Sequence, residues 1–308
     1  MTVNEDKKSS SLGKSRSFKK ELPGRIYATV CGFLIIVLTI SLVFFIASKG
    51  LSTFTINHVS IFDFLFSSQW SPDAAAGSGG PKVGAAIFLS GSVIVSLFAI
   101  IISTPLSVSA AIFMTEISPK LGQRFLRPAI ELFVGIPSVV YGWVGLSVLV
   151  PFLRRITGGL GFSVLAGGIV LTIMIFPTIA SITADSLKTL PSEYREASYA
   201  LGSTRWQTIR KVLVPAALPG ILTGVVLGLA RAFGEALAVQ MVIGNSIRFP
   251  GSILDSTTTL TSIITMDMGN TIQGSLWNNS LWSMALLLLL MSFGFIILIR
   301  KISSRRRD

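Results

Sequence analysis

The chain has 308 residues, of which 51% are hydrophobic and only 13% are charged, and its formal net charge is +12. A soluble domain usually carries about 25% charged residues, so this composition excludes an ordinary soluble protein and predicts long segments in a lipid bilayer. The single cysteine, Cys31, and the single histidine, His58, exclude an internal disulfide and give no cluster for a metal. We therefore expect no cofactor.

Six apolar segments are long enough to cross a bilayer, which takes roughly 20 helical residues. The first follows a Ser- and Lys-rich segment, residues 1–22, which we expect to be a disordered basic tail. The second has 33 residues without a charge, more than one crossing needs, and Pro105 is the expected bend. The predicted spans are Ile26–Ala47, one within Val83–Thr115, Leu132–Leu153, one within Ile156–Ala184, and roughly Gly220–Gly244 and Leu281–Ile299.

The lysines and arginines between these spans are distributed unevenly. Twenty of them fall in the two termini and in residues 116–127 and 185–219, whereas five fall in the loops on the other side. Since cytoplasmic loops carry an excess of Lys and Arg, both termini are predicted to be cytoplasmic. The same bias explains the basic balance without nucleic acid, which we do not expect as a partner. The expected organisation is one membrane domain over residues 23–302, with a basic cytoplasmic tail over 303–308.

The cytoplasmic loop 185–219 has the local signals of two short amphipathic helices joined by a glycine turn. Pro191 and the acids after it favour a helix start, Gly202 suits the left-handed residue that ends a helix, and Pro215 stops a second helical segment. This pattern resembles the coupling loop of binding-protein-dependent ABC importer permeases, in which Glu-Ala-Ala is followed by Gly, a hydrophobic residue and Leu-Pro. The matching positions are Glu196, Ala197, Ser198, Gly202, Ile209 and Leu218-Pro219, with Ser198 in place of the second alanine.

This resemblance implies an all-α membrane protein with the MetI-like type I ABC importer permease fold and six transmembrane helices. It also implies that residues 185–219, called the coupling loop below, dock onto an ATPase subunit. The chain itself is then a transport subunit and not an enzyme, and its sequence has no Gly-x-x-x-x-Gly-Lys-(Ser/Thr) loop that would bind ATP phosphates. The alternative interpretation of the loop is an ordinary amphipathic connector.

Two charges, Arg231 and Glu235, lie inside the fifth predicted span, where charges are rare and seldom face lipid. Their spacing of four predicts that they share a helix face and can form an ion pair, and Gly220, Gly224 and Gly228 are predicted on that face, where small residues allow close helix packing. A guanidinium matches the geometry of an oxyanion such as phosphate. The pair is therefore a candidate substrate-pathway site, with a purely structural ion pair as the alternative.

Residues 230–235, Ala-Arg-Ala-Phe-Gly-Glu, resemble the equivalent segment of phosphate-specific permeases, and residues 132–142 resemble their third-span motif. The continuation after Glu235 and the outer-loop segment Trp70-Ser71-Pro72 are more similar to PstC-type subunits than to their PstA partners. The resemblance covers residues 25–302 and implies import of inorganic phosphate with Arg231 and Glu235 as a transport-essential pair. It implies three protein partners: a second, PstA-like permease subunit, a PstB-like ATPase dimer and a PstS-like extracellular phosphate-binding protein.

Other functions are compatible with parts of this pattern. The cargo could be another oxyanion, such as sulfate, molybdate or phosphonate, which only transport measurements distinguish. An ion-gradient-driven secondary transporter would use Glu235 as a proton site and would work without an ATPase. A membrane-bound sensor or scaffold is disfavoured because the sequence shows no soluble output domain.

Overall fold

A computed structural model of the chain describes residues 5–74 and 80–304, including the side chains of residues 24–74 and 80–301. Within the described residues, six helices are long and apolar enough to cross a membrane, as the sequence predicted. The fold is all-α apart from one short hairpin. Two compact units are present, one up to Lys49 and one from Gly50 onward.

The first unit consists of helix α1, Glu5–Gly50, up to Lys49. Its apolar side chains cover every helix face in the predicted first span, which is typical of a membrane-crossing helix. The helix also includes residues 5–22, for which composition predicted a disordered tail, while Met1–Asn4 lie outside the described residues. The difference has a physical reason, because extending an existing helix avoids the unfavourable nucleation step.

The second unit begins with several short elements and continues through the remaining spans. Its first elements are α2 Ser52–Thr55, α3 Ile61–Phe66, and the antiparallel strands β1 Trp70–Ser71 and β2 Lys82–Val83, in which Trp70 pairs with Val83. The helices that follow are α4 Ala86–Ile112, α5 Pro119–Leu121, α6 Arg127–Gly135, α7 Ser138–Val144, α8 Val150–Thr157, α9 Val164–Lys188, α10 Glu193–Ala200, α11 Arg205–Thr208, α12 Val214–Gly234, α13 Leu237–Ile243, α14 Leu260–Asp267 and α15 Leu276–Ser304.

Several of these helices are joined by wide π-helical turns, in which each turn takes one residue more than an α-helix. These turns are Phe113–Ile117, Gly122–Leu126, Gly145–Leu149 and Ile209–Leu213, and a 3₁₀ turn, Met268–Asn270, follows α14. Because the π turns continue the flanking helices, the second span extends from Ala86 to Ile117.

Helix α9 lies between α4 and α12 and forms the centre of the packed core. Its side chains Leu171, Met174 and Ile179 are almost completely buried, at 1% exposure or less. They pack against Val95 of α4 and Val225 of α12. The burial of apolar side chains on both faces of α9 therefore sets the relative positions of three spans.

The three glycines of α12, Gly220, Gly224 and Gly228, face α9, and we call them the glycine face. A Cβ atom on Gly220 would lie 2.5 Å from the Cβ of Ser186, and one on Gly228 would lie 2.8 Å from Cγ1 of Ile179. Real Cβ atoms essentially never come this close to their neighbours. The predicted close packing along this face is therefore confirmed.

The third span differs from the sequence prediction. The predicted third span, Leu132–Leu153, is interrupted at Ile136, whose backbone is extended, and the crossing helix begins at Ser138. The cause is Pro137, which lacks an N–H and disfavours helical backbone in the residue before it. The fourth span begins at Val164, within the predicted segment, after a turn in which Gly158 and Gly161 are left-handed with φ of 69° and 83°.

We predict that Gly220→Ala lowers the free energy of unfolding of the purified protein by about 1–3 kcal/mol, because its methyl group overlaps Ser186. Gly294→Ala is the matched control, since Gly294 also lies in a spanning helix but has nothing within 4 Å of its added Cβ. Denaturant unfolding in detergent micelles measures both. The double variant Gly220→Ala/Ser186→Gly should recover most of the loss, and a loss of equal size in Gly294→Ala would contradict the close packing.

Candidate functional site

The coupling loop forms two short helices joined by a tight turn, as its sequence predicted. Helix α10 ends at Ala200, and Gly202 follows with a φ of +78°, in the left-handed region that favours glycine. Thr204 begins α11 with a capping box: its backbone N–H donates to Oε1 of Gln207 at 2.8 Å, and its hydroxyl accepts from the Gln207 N–H at 3.3 Å. The turn between the two helices is therefore determined by residues within the loop itself, Gly202 and the Thr204–Gln207 capping box.

The four predicted coupling residues divide between the surface and the interior. Glu196, Ala197 and Gly202 are exposed, whereas Ser198 is only 6% exposed. The Ser198 hydroxyl lies 2.9 Å from the hydroxyl of Thr208 and joins α10 to α11. Serine at the position of the second alanine thus makes a hydrogen bond that alanine could not make. The docking role of the exposed residues remains a prediction.

Large apolar side chains are exposed around this loop. Leu201 at the turn is 87% exposed, Trp206 on α11 is 58% exposed, and Tyr194 and Tyr199 on α10 are about half exposed. Exposed apolar clusters rimmed by charges are typical of protein–protein contact surfaces. The surface of α10 and α11 therefore has the character of a docking surface.

Arg195 fixes the coupling loop to the rest of the second unit, a contact that the sequence analysis did not identify. Its Nη2 and Nε donate to the two carboxylate oxygens of Glu116 at 2.6 and 3.2 Å. This hydrogen bonding raises the pKa of Arg195, so the side chain is charged at every physiological pH. The sequence offered one signal for this contact: Glu116 is the first charged residue after a long uncharged span, where a carboxylate is expected to need a partner.

The fifth predicted span is interrupted close to its candidate charges. Helix α12 ends at Gly234, Glu235 has extended backbone with φ −77° and ψ 119°, and α13 begins at Leu237. The Glu235 carboxylate accepts a hydrogen bond from the N–H of Ala238 at 2.9 Å and so caps the first turn of α13. The prediction of one continuous helix over Gly220–Gly244 was therefore wrong.

Arg231 and Glu235 do not form an ion pair, although both belong to the described residues. The predicted pairing was wrong because the helix ends between them and turns the carboxylate toward α13. Arg231 instead donates from Nη1 to the hydroxyl of Thr178 on α9 at 3.3 Å. Both side chains are half-buried. Among the residues that the structure describes, no carboxylate lies within ion-pair distance of this guanidinium.

Hydroxyl groups surround the Glu235 end of this site. The hydroxyl of Thr261 donates to the Glu235 carbonyl oxygen at 2.8 Å, and a small cavity beside the carboxylate is lined by further hydroxyls. The cavity-lining hydroxyl residues are Ser92, Ser96, Thr259 and Thr261. Arg231 does not line this cavity, so the carboxylate with its hydroxyl groups and the guanidinium beside α9 are two separate groups of the candidate site.

The third-span motif over residues 132–142 lies against the same break in the fifth span. The Tyr141 hydroxyl donates to the Phe133 carbonyl at 2.7 Å and spans the interruption between α6 and α7. A Cβ atom on Gly142 would lie 2.8 Å from Cα of Ala238 on α13, so Gly142 allows the close approach of these helices. The two interrupted segments are therefore direct neighbours.

Residues 104–308 match the family model described as "Binding-protein-dependent transport system inner membrane component". The chain is 54% identical to the "Probable ABC transporter permease protein YqgH" of Bacillus subtilis, covering 93% of this chain and 92% of that protein. It is 37% identical to the "Phosphate transport system permease protein PstC" of Mesorhizobium japonicum, covering 80% and 77% of the two chains. In fold it is similar to a chain of the inward-facing MetNI methionine ABC transporter, with a TM-score of 0.53, 24% identity, and coverage of 70% and 92%.

We predict that Gly202→Ala loosens the turn between α10 and α11, because a left-handed residue with a Cβ costs about 1–2 kcal/mol. Hydrogen–deuterium exchange of the α10 and α11 amides should become faster by about 5- to 30-fold, with the rest of the protein unchanged. Gly269→Ala is the control, since Gly269 has no positive φ and, like Gly202, has open space around it. Unchanged exchange in Gly202→Ala would show that the turn tolerates a side chain.

Proposed function

This chain belongs to the binding-protein-dependent transport system inner membrane components, the permeases of ABC importers, and we propose that it is a PstC-type permease subunit that imports inorganic phosphate. It is a multi-pass protein of the cell membrane with the MetI-like permease fold.

The observation that carries the proposal is Arg231. This side chain lies half-buried inside a spanning helix, and its described contact is a neutral threonine hydroxyl rather than a carboxylate. A charge inside a membrane protein is costly unless it is compensated, so an anionic cargo is the natural partner for it. The planar guanidinium matches the oxygens of phosphate. The 37% identical relative named as a phosphate permease supports this choice of anion.

Glu235 has two roles in this proposal. Its carboxylate caps α13 and its carbonyl holds Thr261, so it fixes the geometry beside the pathway. A carboxylate near the pathway also favours a protonated phosphate, which can donate a hydrogen bond to it, over an anion that has no proton to donate. In this proposal Arg231 attracts the anion, and Glu235 favours protonated phosphate over anions that have no proton to donate.

The transport cycle needs partner proteins. In this proposal both termini and the coupling loop lie in the cytoplasm, and the exposed Glu196, Ala197 and Gly202 surface docks onto a PstB-like ATPase dimer. A PstA-like permease forms the other half of the path, and a PstS-like protein delivers phosphate from outside. ATP binding brings the coupling loops together and opens the path outward, and hydrolysis resets it.

We predict that Arg231→Ala lowers ATP-dependent phosphate uptake by the assembled transporter in proteoliposomes by about tenfold to hundredfold, the value of one charge-assisted hydrogen bond. Arg231→Lys should retain part of the uptake, because it keeps the charge and loses the planar fork. Arg155→Ala is the control, since Arg155 is an exposed arginine at the end of another span. Undiminished phosphate uptake in Arg231→Ala, with loss of sulfate, molybdate or phosphonate uptake, would reassign the cargo.

We further predict that Glu196→Lys abolishes co-purification of the ATPase subunit, because it reverses a charge at the centre of the proposed docking surface. Glu131→Lys is the matched control, since Glu131 is an exposed glutamate on the same predicted side of the membrane. Affinity purification of the tagged permease measures both. Phosphate transport by the purified chain alone, without any ATPase, would contradict the importer and favour a secondary transporter.

A further inference from the structure

Glu116, at the end of the second span, is held by two arginines of the coupling loop. Arg195 of α10 binds both of its carboxylate oxygens. Arg205 of α11 donates to the Glu116 carbonyl and, at 3.0 Å, to the carbonyl of Ile117. Both helices of the coupling loop are therefore attached to the π turn Phe113–Ile117, which continues α4.

The same Arg195 side chain also binds the end of the fourth span. Its Nη2 donates to the Leu187 carbonyl of α9 at 3.1 Å, and its Nη1 donates to the Leu190 carbonyl at 3.4 Å. One guanidinium thus joins α4, α9 and α10. The side chains of Arg195 and Glu116 are only 25% and 10% exposed, so water and salt screen their attraction little.

The contacts within the loop make its two helices a single body. The Ser198–Thr208 hydrogen bond joins α10 to α11, and the Thr204 cap fixes the start of α11. A displacement of α10 therefore also displaces α11. Since each of the two helices is bound to the π turn that continues α4, the loop cannot move without pulling on that span.

Helix α9 connects this attachment to the candidate substrate site. Leu187, whose carbonyl binds Arg195, and Thr178, whose hydroxyl binds Arg231, lie nine residues apart on α9, about 14 Å along one helix. The glycine face of α12 packs against the same helix. A rigid displacement of α9 at its inner end therefore reaches the contact of Arg231.

We propose that Glu116 and Arg195 are positioning residues that transmit the movement of α10 to the α4–α9 pair and, through α9, to Arg231. The inference rests on the proposed function, because it requires a partner ATPase that moves the coupling loop. Without this ion pair the contacts of Arg205 still attach the coupling loop to the second span, but Arg195 no longer carries the movement of α10 to α9. ATP is then hydrolysed with less opening of the path around Arg231.

A second ion pair provides the matched comparison. Arg127 and Glu131 lie 3.0 Å apart, with side chains 51% and 64% exposed. Both belong to α6 and are one turn apart, so their pair connects no two helices. Removing this pair deletes one positive and one negative charge from the same predicted side of the membrane, but it breaks no contact between two helices.

The test measures phosphate imported per ATP hydrolysed by the assembled complex, with its binding protein, in proteoliposomes. The double variant Glu116→Gln/Arg195→Gln removes both charges, so that no buried charge is left unpaired. We expect ATP hydrolysis close to that of the unaltered complex and an import ratio about tenfold lower, which corresponds to a modest coupling free energy between the two sites. Arg127→Gln/Glu131→Gln should leave both quantities unchanged.

The charge-reversed double variant, Glu116→Arg/Arg195→Glu, should import more phosphate per ATP hydrolysed than the double glutamine variant, because it restores an ion pair between the same two positions. Arg195→Lys should fall between the unaltered complex and the double glutamine variant. The proposal is overturned if the double glutamine variant imports as much phosphate per ATP hydrolysed as the unaltered complex. This outcome includes the case in which ATP hydrolysis and import fall by the same factor because less complex assembles.

Failure of the proposed function has a different signature. An unaltered complex that hydrolyses ATP but imports another anion instead of phosphate refutes the cargo, and the ratio is then measured with that anion. An unaltered chain that transports without any ATPase refutes both the importer and the transmission through Glu116 and Arg195.

Discussion

The burial of helix α9 is the constraint on which the rest of the membrane domain depends. In its most apolar stretch 61% of residues are buried, compared with 44% in the second span and 39% in the span that ends with α12. Because most of this helix is buried among other helices, a protein partner stabilises a polar group that lies beside it. The Ser107 hydroxyl of α4 accordingly donates to the Phe176 carbonyl of α9 at 3.0 Å. Arg195 and Arg231 both donate hydrogen bonds to α9, at Leu187 and at Thr178.

The interruptions of the third and fifth predicted spans, around residues 136 and 235, show how irregular backbone is accommodated in a membrane protein. Each interruption frees backbone groups, and a side chain satisfies them: Tyr141 binds the Phe133 carbonyl, the Glu235 carboxylate binds the Ala238 N–H, and Thr261 binds the Glu235 carbonyl. The two interruptions are packed together through Gly142. Irregular backbone is tolerated in this position because it is surrounded by protein, which is the environment that substrate sites of transporters share.

The number of spans, the glycine face and the turn at Gly202 could be predicted because each depends on local signals: length, small-residue spacing and a required positive φ. The ends of spans could not, because apolar composition does not show that Ile136 is forced out of the helix by Pro137. The Arg231–Glu235 pairing failed for a related reason, since spacing assumes a helix that Glu235 itself ends by capping the next one. The Arg195–Glu116 contact joins residues 79 positions apart, and no local pattern in one sequence identifies such a partner.

The π turn Ile209–Leu213 has a consequence for comparing relatives of different length. The turn takes one residue more than an α-helix would, and every later residue of α12 is thereby rotated by about 100° relative to α11. With a regular turn, the glycine face would no longer face α9 and would point elsewhere. A relative that lacks this extra residue must therefore carry its small residues at a different offset from the coupling motif. A single-residue gap between positions 208 and 214 therefore preserves the helix orientation in such a relative, and an alignment without this gap would misassign the counterpart of Arg231.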